Sequence, residues 1–217
     1  MQKSPRNPKT DLKLHQRDLA VLSWMCEQYA ARMDHLETLM GTGSTRTRDL
    51  VARLRAAELV RTERILVGHP TWVIPTHKGL SVCGARYWVW KPKLGALAHI
   101  SALNDVRLHI QAQKAESVWL SERQLLAEAK ERTGARSHAP DGVLILGARS
   151  VAIEVELSIK SIRRVEAILD DLTGRFDGIL YYCATRPHRQ LTQLEESGRW
   201  RALGVRELPR QTGLEWL

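Results

Sequence analysis

The sequence predicts a mixed α+β protein of two parts, and three observations carry that prediction. Between Leu14 and Glu58 apolar residues recur at steps of three and four, the period of a helix with one buried face. The following runs, VRTERILV and TWVIP, shift toward a period of two across a GHP turn, as a strand pair does. Beyond Leu94 helical and strand patterns follow in the order α, β, β, β, α, β, which builds a mixed sheet flanked by helices.

In the first part, Leu19, Leu22, Cys26 and Tyr29 share one face of a helix ending near Ala31. A second, short helix carries Asp34, Leu36, Leu39 and Met40. The segment GTGST, Gly41 to Thr45, reads as a turn with hydroxyl caps, and a third helix over Thr47 to Glu58 points Leu50, Leu54 and Ala57 inward. Helix, helix, turn, helix and hairpin is the order of a winged helix-turn-helix. The stretch AELVRTERI followed by WVIPTHKGL resembles the wing of regulators of that type, and the likeness covers Leu14 to Gly84.

That resemblance implies a third helix entering the major groove of double-stranded DNA by its N-terminal end. Ser44, Thr45, Arg46, Thr47 and Arg48 would then meet DNA first, with Arg46 and Arg48 on bases or phosphates. Arg53 and Arg55 are candidates for the backbone, Arg64 and His69 for the wing. The plainer alternative is a solvated arginine face on a winged helix that docks protein.

Bulk properties agree with a polyanionic partner. The 217 residues carry a formal charge of +9, and residues 1–90 hold 14 Lys and Arg against 8 Asp and Glu. Three dispersed cysteines suggest neither a disulfide framework nor a zinc site. No apolar run is long enough for a membrane span and no signal peptide is visible, so the expectation is a cytoplasmic protein without membrane contact. Residues 1–13 read as a disordered basic arm, 14–86 as the winged helix-turn-helix and 94–217 as a second domain. The tract YWVWKPK, within 87–93, reads as the linker. Its Trp88 and Trp90 are expected to pack between domains rather than form a stacking platform for single strands.

The second part carries the carboxylates. Pro140-Asp141 opens one strand of an expected hairpin and Glu154-Val155-Glu156 lies inside the next. Strand side chains alternate, so Glu154 and Glu156 share a face while Ile153, Val155 and Leu157 turn to the other. This pattern resembles the core of the PD-(D/E)XK nuclease superfamily. The usual lysine position is Glu156 here, and Lys160 is available four residues on. The resemblance implies that Asp141, Glu154 and Glu156 hold Mg²⁺ or Mn²⁺, that Lys160 stabilises phosphate, and that Glu122 is an accessory ligand. A half-exposed strand produces the same alternation without any chemistry, and Glu122 equally suits a solvated helix start.

The segments LAHISALNDVRLHI, VWLSERQL, HAPDGVLIL, VAIEVELSIKSIRRVEAIL and FDGILYYC together resemble the replication-relaxation family of plasmid and mobile-element proteins. That family likewise joins a winged helix to a restriction-endonuclease-like core. Its resemblance implies DNA handling on a plasmid or mobile element. Eight scattered histidines form no HExxH, and neither a P-loop nor GxGxxG occurs, so ATPase, zinc-protease and dinucleotide roles find no support. Two functions stay open. One is a Mg²⁺-dependent DNA endonuclease or nickase; the other is a non-enzymatic regulator or replication accessory protein, expected as a homodimer, whose nuclease-like domain binds a partner.

Overall fold

The computed structural model describes residues 14–132 and 138–209; the expected basic arm at 1–13 lies outside them. Helix α1 (Gln16–Glu27) buries Val21, Leu22, Trp24, Met25 and Cys26. It stops before the expected Ala31 because Tyr29 takes φ 70° and the Ala30 amide donates to the Gln28 carbonyl at 2.8 Å, closing a γ-turn. The chain then lays down a two-residue strand, β1 (Ala31–Arg32), that periodicity did not announce. Helix α2 (Met33–Met40) ends on Gly41, whose φ of 58° is the left-handed conformation glycine adopts without cost.

Helix α3 (Ser44–Ala56) begins three residues before the expected Thr47. Gly43 is its N-cap, so the hydroxyls of Ser44 and Thr45 lie in the first turn rather than capping it. Strands β2 (Val60–Glu63) and β3 (Trp72–Pro75) are antiparallel, and β1 joins the free edge of β3 to give the order β1-β3-β2. A further helix, α4 (His77–Val82), forms where the sequence reads as the polar end of the wing. Thr76 caps it by accepting from the Gly79 amide at 3.1 Å. Gly79 itself is required by space: a Cβ there would run into the Leu59 carbonyl. The arrangement is winged-helix-like.

The second half begins with α5 (Leu94–Gln113). Strand β4 (Val118–Ser121), helix α6 (Glu122–Arg132), strands β5 (Gly142–Leu146) and β6 (Arg149–Glu156), helix α7 (Ile162–Thr173), strand β7 (Gly178–Cys183), helix α8 (Thr185–Glu196) and strand β8 (Leu203–Glu207) follow. They build a mixed sheet in the order β4-β5-β6-β7-β8. The pairs up to β6 are antiparallel and those from β6 to β8 parallel. Helix α5 covers one face, setting Ala102, Leu103, Val106 and Ile110 on Leu144, Ile153, Val155 and Tyr182. Helices α7 and α8 cover the other, with Val165, Leu169, Leu172 and Leu191 over Ala152, Ile179, Tyr181 and Val205. Alternation along β6 therefore puts Glu154 and Glu156 on the α7/α8 face, one and two steps beyond Ala152.

Helix α5, which opens the second half, packs on both halves. Its Leu97 and Ile100 pack on Trp72 and Ile74 of the first sheet, and Leu108 joins the N-terminal core. Buried polar contacts reinforce the join. Asn104 donates to the Ala30 carbonyl at 2.9 Å and Arg32 to the Ser101 hydroxyl at 2.7 Å. His35 Nε2 lies 2.9 Å from Asp105 Oδ1, outside good hydrogen-bond alignment. Arg107 pairs with Glu27 at 2.6 Å while stacking between Trp24 and Trp119. Of the linker aromatics, Tyr87 packs into the N-terminal core and Trp90 lies 6.4 Å from both Tyr29 and Trp72. Trp88 does not pack between halves as expected: it is 79% exposed, because the extended chain turns its neighbours Tyr87 and Val89 inward. Among the described residues no helix is long and apolar enough to cross a membrane.

Candidate functional site

The last paired residues of the β5/β6 ladder are Gly142 and Ile153. One step further, Asp141 falls opposite Glu154. Its Oδ2 accepts from the Val155 amide at 2.7 Å, and its Oδ1 lies 3.0 Å from His99 Nε2, a side chain of α5. Glu154 is buried and holds His138 Nε2 at 2.8 Å. Arg175 fixes the backbone beside that histidine by donating to the His138 carbonyl at 2.6 Å. Glu156, two residues on and also buried, pairs with Lys160 Nζ at 2.5 Å. The turn between strand and α7 allows this i, i+4 pair, and Gln190 of α8 secures it by donating to the Lys160 carbonyl at 2.9 Å.

Glu122 arrives from a different direction. As the first residue of α6 its amide donates to the Asp141 carbonyl at 3.3 Å, and its Oε2 accepts the Tyr29 hydroxyl at 2.7 Å. Tyr29 thus carries a group of the N-terminal half into the acidic cluster, from a γ-turn of the kind that stores backbone strain. His99, His138 and Tyr29 are absent from the site residues that the sequence suggests. Each pairs with an acid far along the chain, except His138, where HAPD sets a histidine three residues before Asp141.

The electrostatics follow from this crowding. Burial pushes the Glu154 carboxyl up to about 7, and the charge of Asp141 adds to the effect against the opposing hydrogen bond from His138. Burial likewise raises Glu122, although the Tyr29 hydrogen bond works against it. The hydrogen bond to Glu154 raises His138. His99 is pulled down by burial but lifted further by Asp141, Glu122 and Glu154, so it too ends above its ordinary value.

The donors are all oxygen at the strand ends, the set that suits Mg²⁺ or Mn²⁺. In this conformation each carboxylate is held by one of the chain's own basic groups: Asp141 by His99, Glu154 by His138, Glu156 by Lys160. Among the described residues no three His, Cys, Asp or Glu side chains gather as a metal centre. Asp141 and Glu154 are the pair the ladder brings together; Glu156 is turned toward Lys160 and the Ser158 amide.

The DNA-contact candidates divide by their place on α3. Thr47 is fully buried and donates its hydroxyl to the Gly43 carbonyl at 3.4 Å, so it faces the core rather than a ligand. Thr45, Asp49, Ala52 and Ala56 form the stripe opposite the core. Arg48 and Arg55 flank it on one side and Arg46 and Arg53 on the other, each pair seven residues, almost two turns, apart. Arg53 is partly committed, lying 3.2 Å from Asp18 of α1. Ser44 is half-buried at the helix start, and Arg64 and His69 lie in the loop between β2 and β3, Arg64 exposed and His69 half-buried.

No protein-family model and no curated protein matches the chain. Three solved structures share part of its course. The organohalide-sensing transcriptional regulator RdhR-CbdbA1625, in its 2,4-dichlorophenol-bound form, is 15% identical with a TM-score of 0.31 over 57% of this chain and 67% of its own. Protein VC1899 from Vibrio cholerae is 13% identical with a TM-score of 0.30, over 88% of this chain and 47% of its own. The archaeal chromatin protein TrmBL2 is 11% identical with a TM-score of 0.26, over 94% and 75%. TM-scores of this size fall short of a shared overall fold.

Proposed function

We propose that this chain is a double-stranded DNA-binding protein whose second half carries a PD-(D/E)XK-type site for phosphodiester cleavage. The observation that carries the reading is the register of the β5/β6 ladder, whose continuation by one step sets Asp141 opposite Glu154, with Glu156 and Lys160 next along the chain. The connection of β6 through α7 to a parallel β7, after three antiparallel strands, supports the same assignment. On the DNA-binding side, two arginine rows flanking a stripe of mostly small residues suit a helix lying in a major groove, its arginines toward the two phosphate walls.

In this reading Asp141 and Glu154 would hold a divalent cation, with Glu156 or Glu122 completing its shell. When bound, such a cation activates water and stabilises the leaving phosphate oxygen. The chain's own contribution is positional and electrostatic. The Val155 amide orients Asp141, and His138 fixes the buried Glu154 carboxyl. Lys160 supplies a positive charge beside the strand end for a phosphate oxygen.

A second reading has its own support. Asp141, Glu154 and Glu156 are already balanced by His99, His138 and Lys160, as in a structural network. The chain is then a non-enzymatic regulator or replication accessory protein, its sheet half serving dimerisation or partner binding. Supercoiled plasmid incubated with pure protein and Mg²⁺ or Mn²⁺ separates the two. The nuclease reading expects metal-dependent nicking that disappears in Asp141→Ala and Glu154→Ala. Equal, background nicking in all three proteins leaves the regulator.

A further inference from the structure

We infer that Trp88 is a stacking platform for an unpaired nucleotide of the DNA, so that the preferred ligand is a duplex carrying a single-stranded end or gap. The inference rests on the DNA-binding reading above and names the substrate class of the same molecule. Trp88 is held outward by a fixed backbone. Its carbonyl accepts from Arg123, a buried side chain that also donates to the Cys26 carbonyl at 2.5 Å and stacks 4.7 Å from the rings of Tyr29 and Tyr87. With Tyr87 and Val89 anchored in the core, the indole is 79% exposed on a stretch that cannot fold it away. An exposed aromatic on an anchored backbone is what base stacking requires, since every base offers a π-face.

The surroundings carry the complementary charge. Lys130 Nζ stands 5.3 Å from the Trp88 ring, and Lys91 and Lys93 are exposed a few residues along the same segment. Two of these follow the indole in sequence and the third, from α6, stands beside its ring, a local excess of positive charge suited to a phosphate backbone. Leu126, 44% exposed, lies one turn before Lys130 on α6. One turn earlier still is Glu122 of the acidic cluster. Helix α6 therefore leads from the cluster to the platform over eight residues, about 12 Å of rise. At about 3.4 Å per nucleotide of strand, that separation accommodates roughly three or four nucleotides.

The test uses the full chain in metal-free buffer with chelator, so that cleavage plays no part. Fluorescence anisotropy compares a blunt duplex with the same duplex carrying a five-nucleotide overhang. The wild-type protein is expected to bind the overhang duplex about 5- to 150-fold more tightly, the range that stacking one base supports. Trp88→Ala should abolish that preference and leave blunt-duplex affinity unchanged, while Trp88→Phe should keep most of it. No preference in the wild type, or a preference that survives Trp88→Ala, overturns the inference. Because nothing is cut, an inactive acidic cluster would leave this result intact, and plasmid nicking would stand if the preference were absent.

Discussion

Replacing Arg107 by methionine is the sharpest perturbation of how the two halves are joined. The guanidinium is 5% exposed, 5.1 Å from the Trp24 ring of α1 and 5.6 Å from the Trp119 ring of β4, and 2.6 Å from Glu27. Burial lowers its pKa, but the charge and hydrogen bond of Glu27 oppose that, so it remains a cation between two aromatic planes. Two such contacts, both toward the outer limit of about 6 Å for this interaction, contribute about 1 kcal/mol each. Stranding Glu27 adds a further penalty, smaller than the usual 3–5 kcal/mol of a broken buried pair because its side chain is 27% exposed. The sum is about 3 kcal/mol, or a fall in Tm of roughly 6–12 °C for a chain of this size. Arg107→Met with Glu27→Gln should recover about 1 kcal/mol, since the uncompensated carboxylate is then gone. Urea denaturation followed by tryptophan fluorescence measures both. A loss below 1 kcal/mol in Arg107→Met would refute the claim that this residue joins the halves.

Two further outcomes follow from the sheet half. Gly142 lies against the Trp119 indole with no space for a Cβ, so Gly142→Ala should force the ladder apart beside Asp141 and cost more than 2 kcal/mol of stability in denaturant; a neutral substitution would contradict the packing. Glu154 has a folded-state pKa raised from 4.5 to about 7, so its contribution is fully present below pH 4.5 and is lost as the pH rises through 7. In chelator, Glu154→Gln should therefore be more stable than wild type at pH 8 by up to about 3 kcal/mol, with the difference vanishing near pH 4. Thermal melts across that range test it, and a variant less stable than wild type at pH 8 would show that the buried carboxylate is fully compensated.

Most of the architecture was legible because it rests on local periodicity. Leu50 and Leu54 mark the buried face of α3, and Ile153 and Val155 the side of β6 that packs on α5. What escaped has non-local causes. Arg32 is 1% exposed and Asp105 fully buried, positions that hydropathy assigns to solvent; Arg32 pairs with the nearby Asp34, but Ser101, 69 residues away, and His35, 70 residues from Asp105, come beside them only in the folded chain. The γ-turn at Tyr29 leaves no signature in the spacing of apolar residues, so the first helix reads too long and β1 goes unseen. The acids at 141, 154 and 156 could be read from alternation within one hairpin. His99 could not be joined to Asp141, because α5 reaches the strand end only through its packing on the sheet. The outward turn of Trp88 depends in the same way on which of its neighbours found a core.

In the proposed complex α3 presents its arginine rows to double-stranded DNA. The most direct measurement is the salt dependence of duplex affinity for wild type and for Arg46→Ala/Arg48→Ala/Arg55→Ala, by anisotropy with a blunt duplex in chelator. Removing three phosphate-binding side chains should flatten the plot of log K against log salt by about 3 × 0.9 in slope and weaken binding at low salt. Identical slopes and affinities for the two proteins would mean that α3 is a solvated face and that DNA, if bound, lies elsewhere.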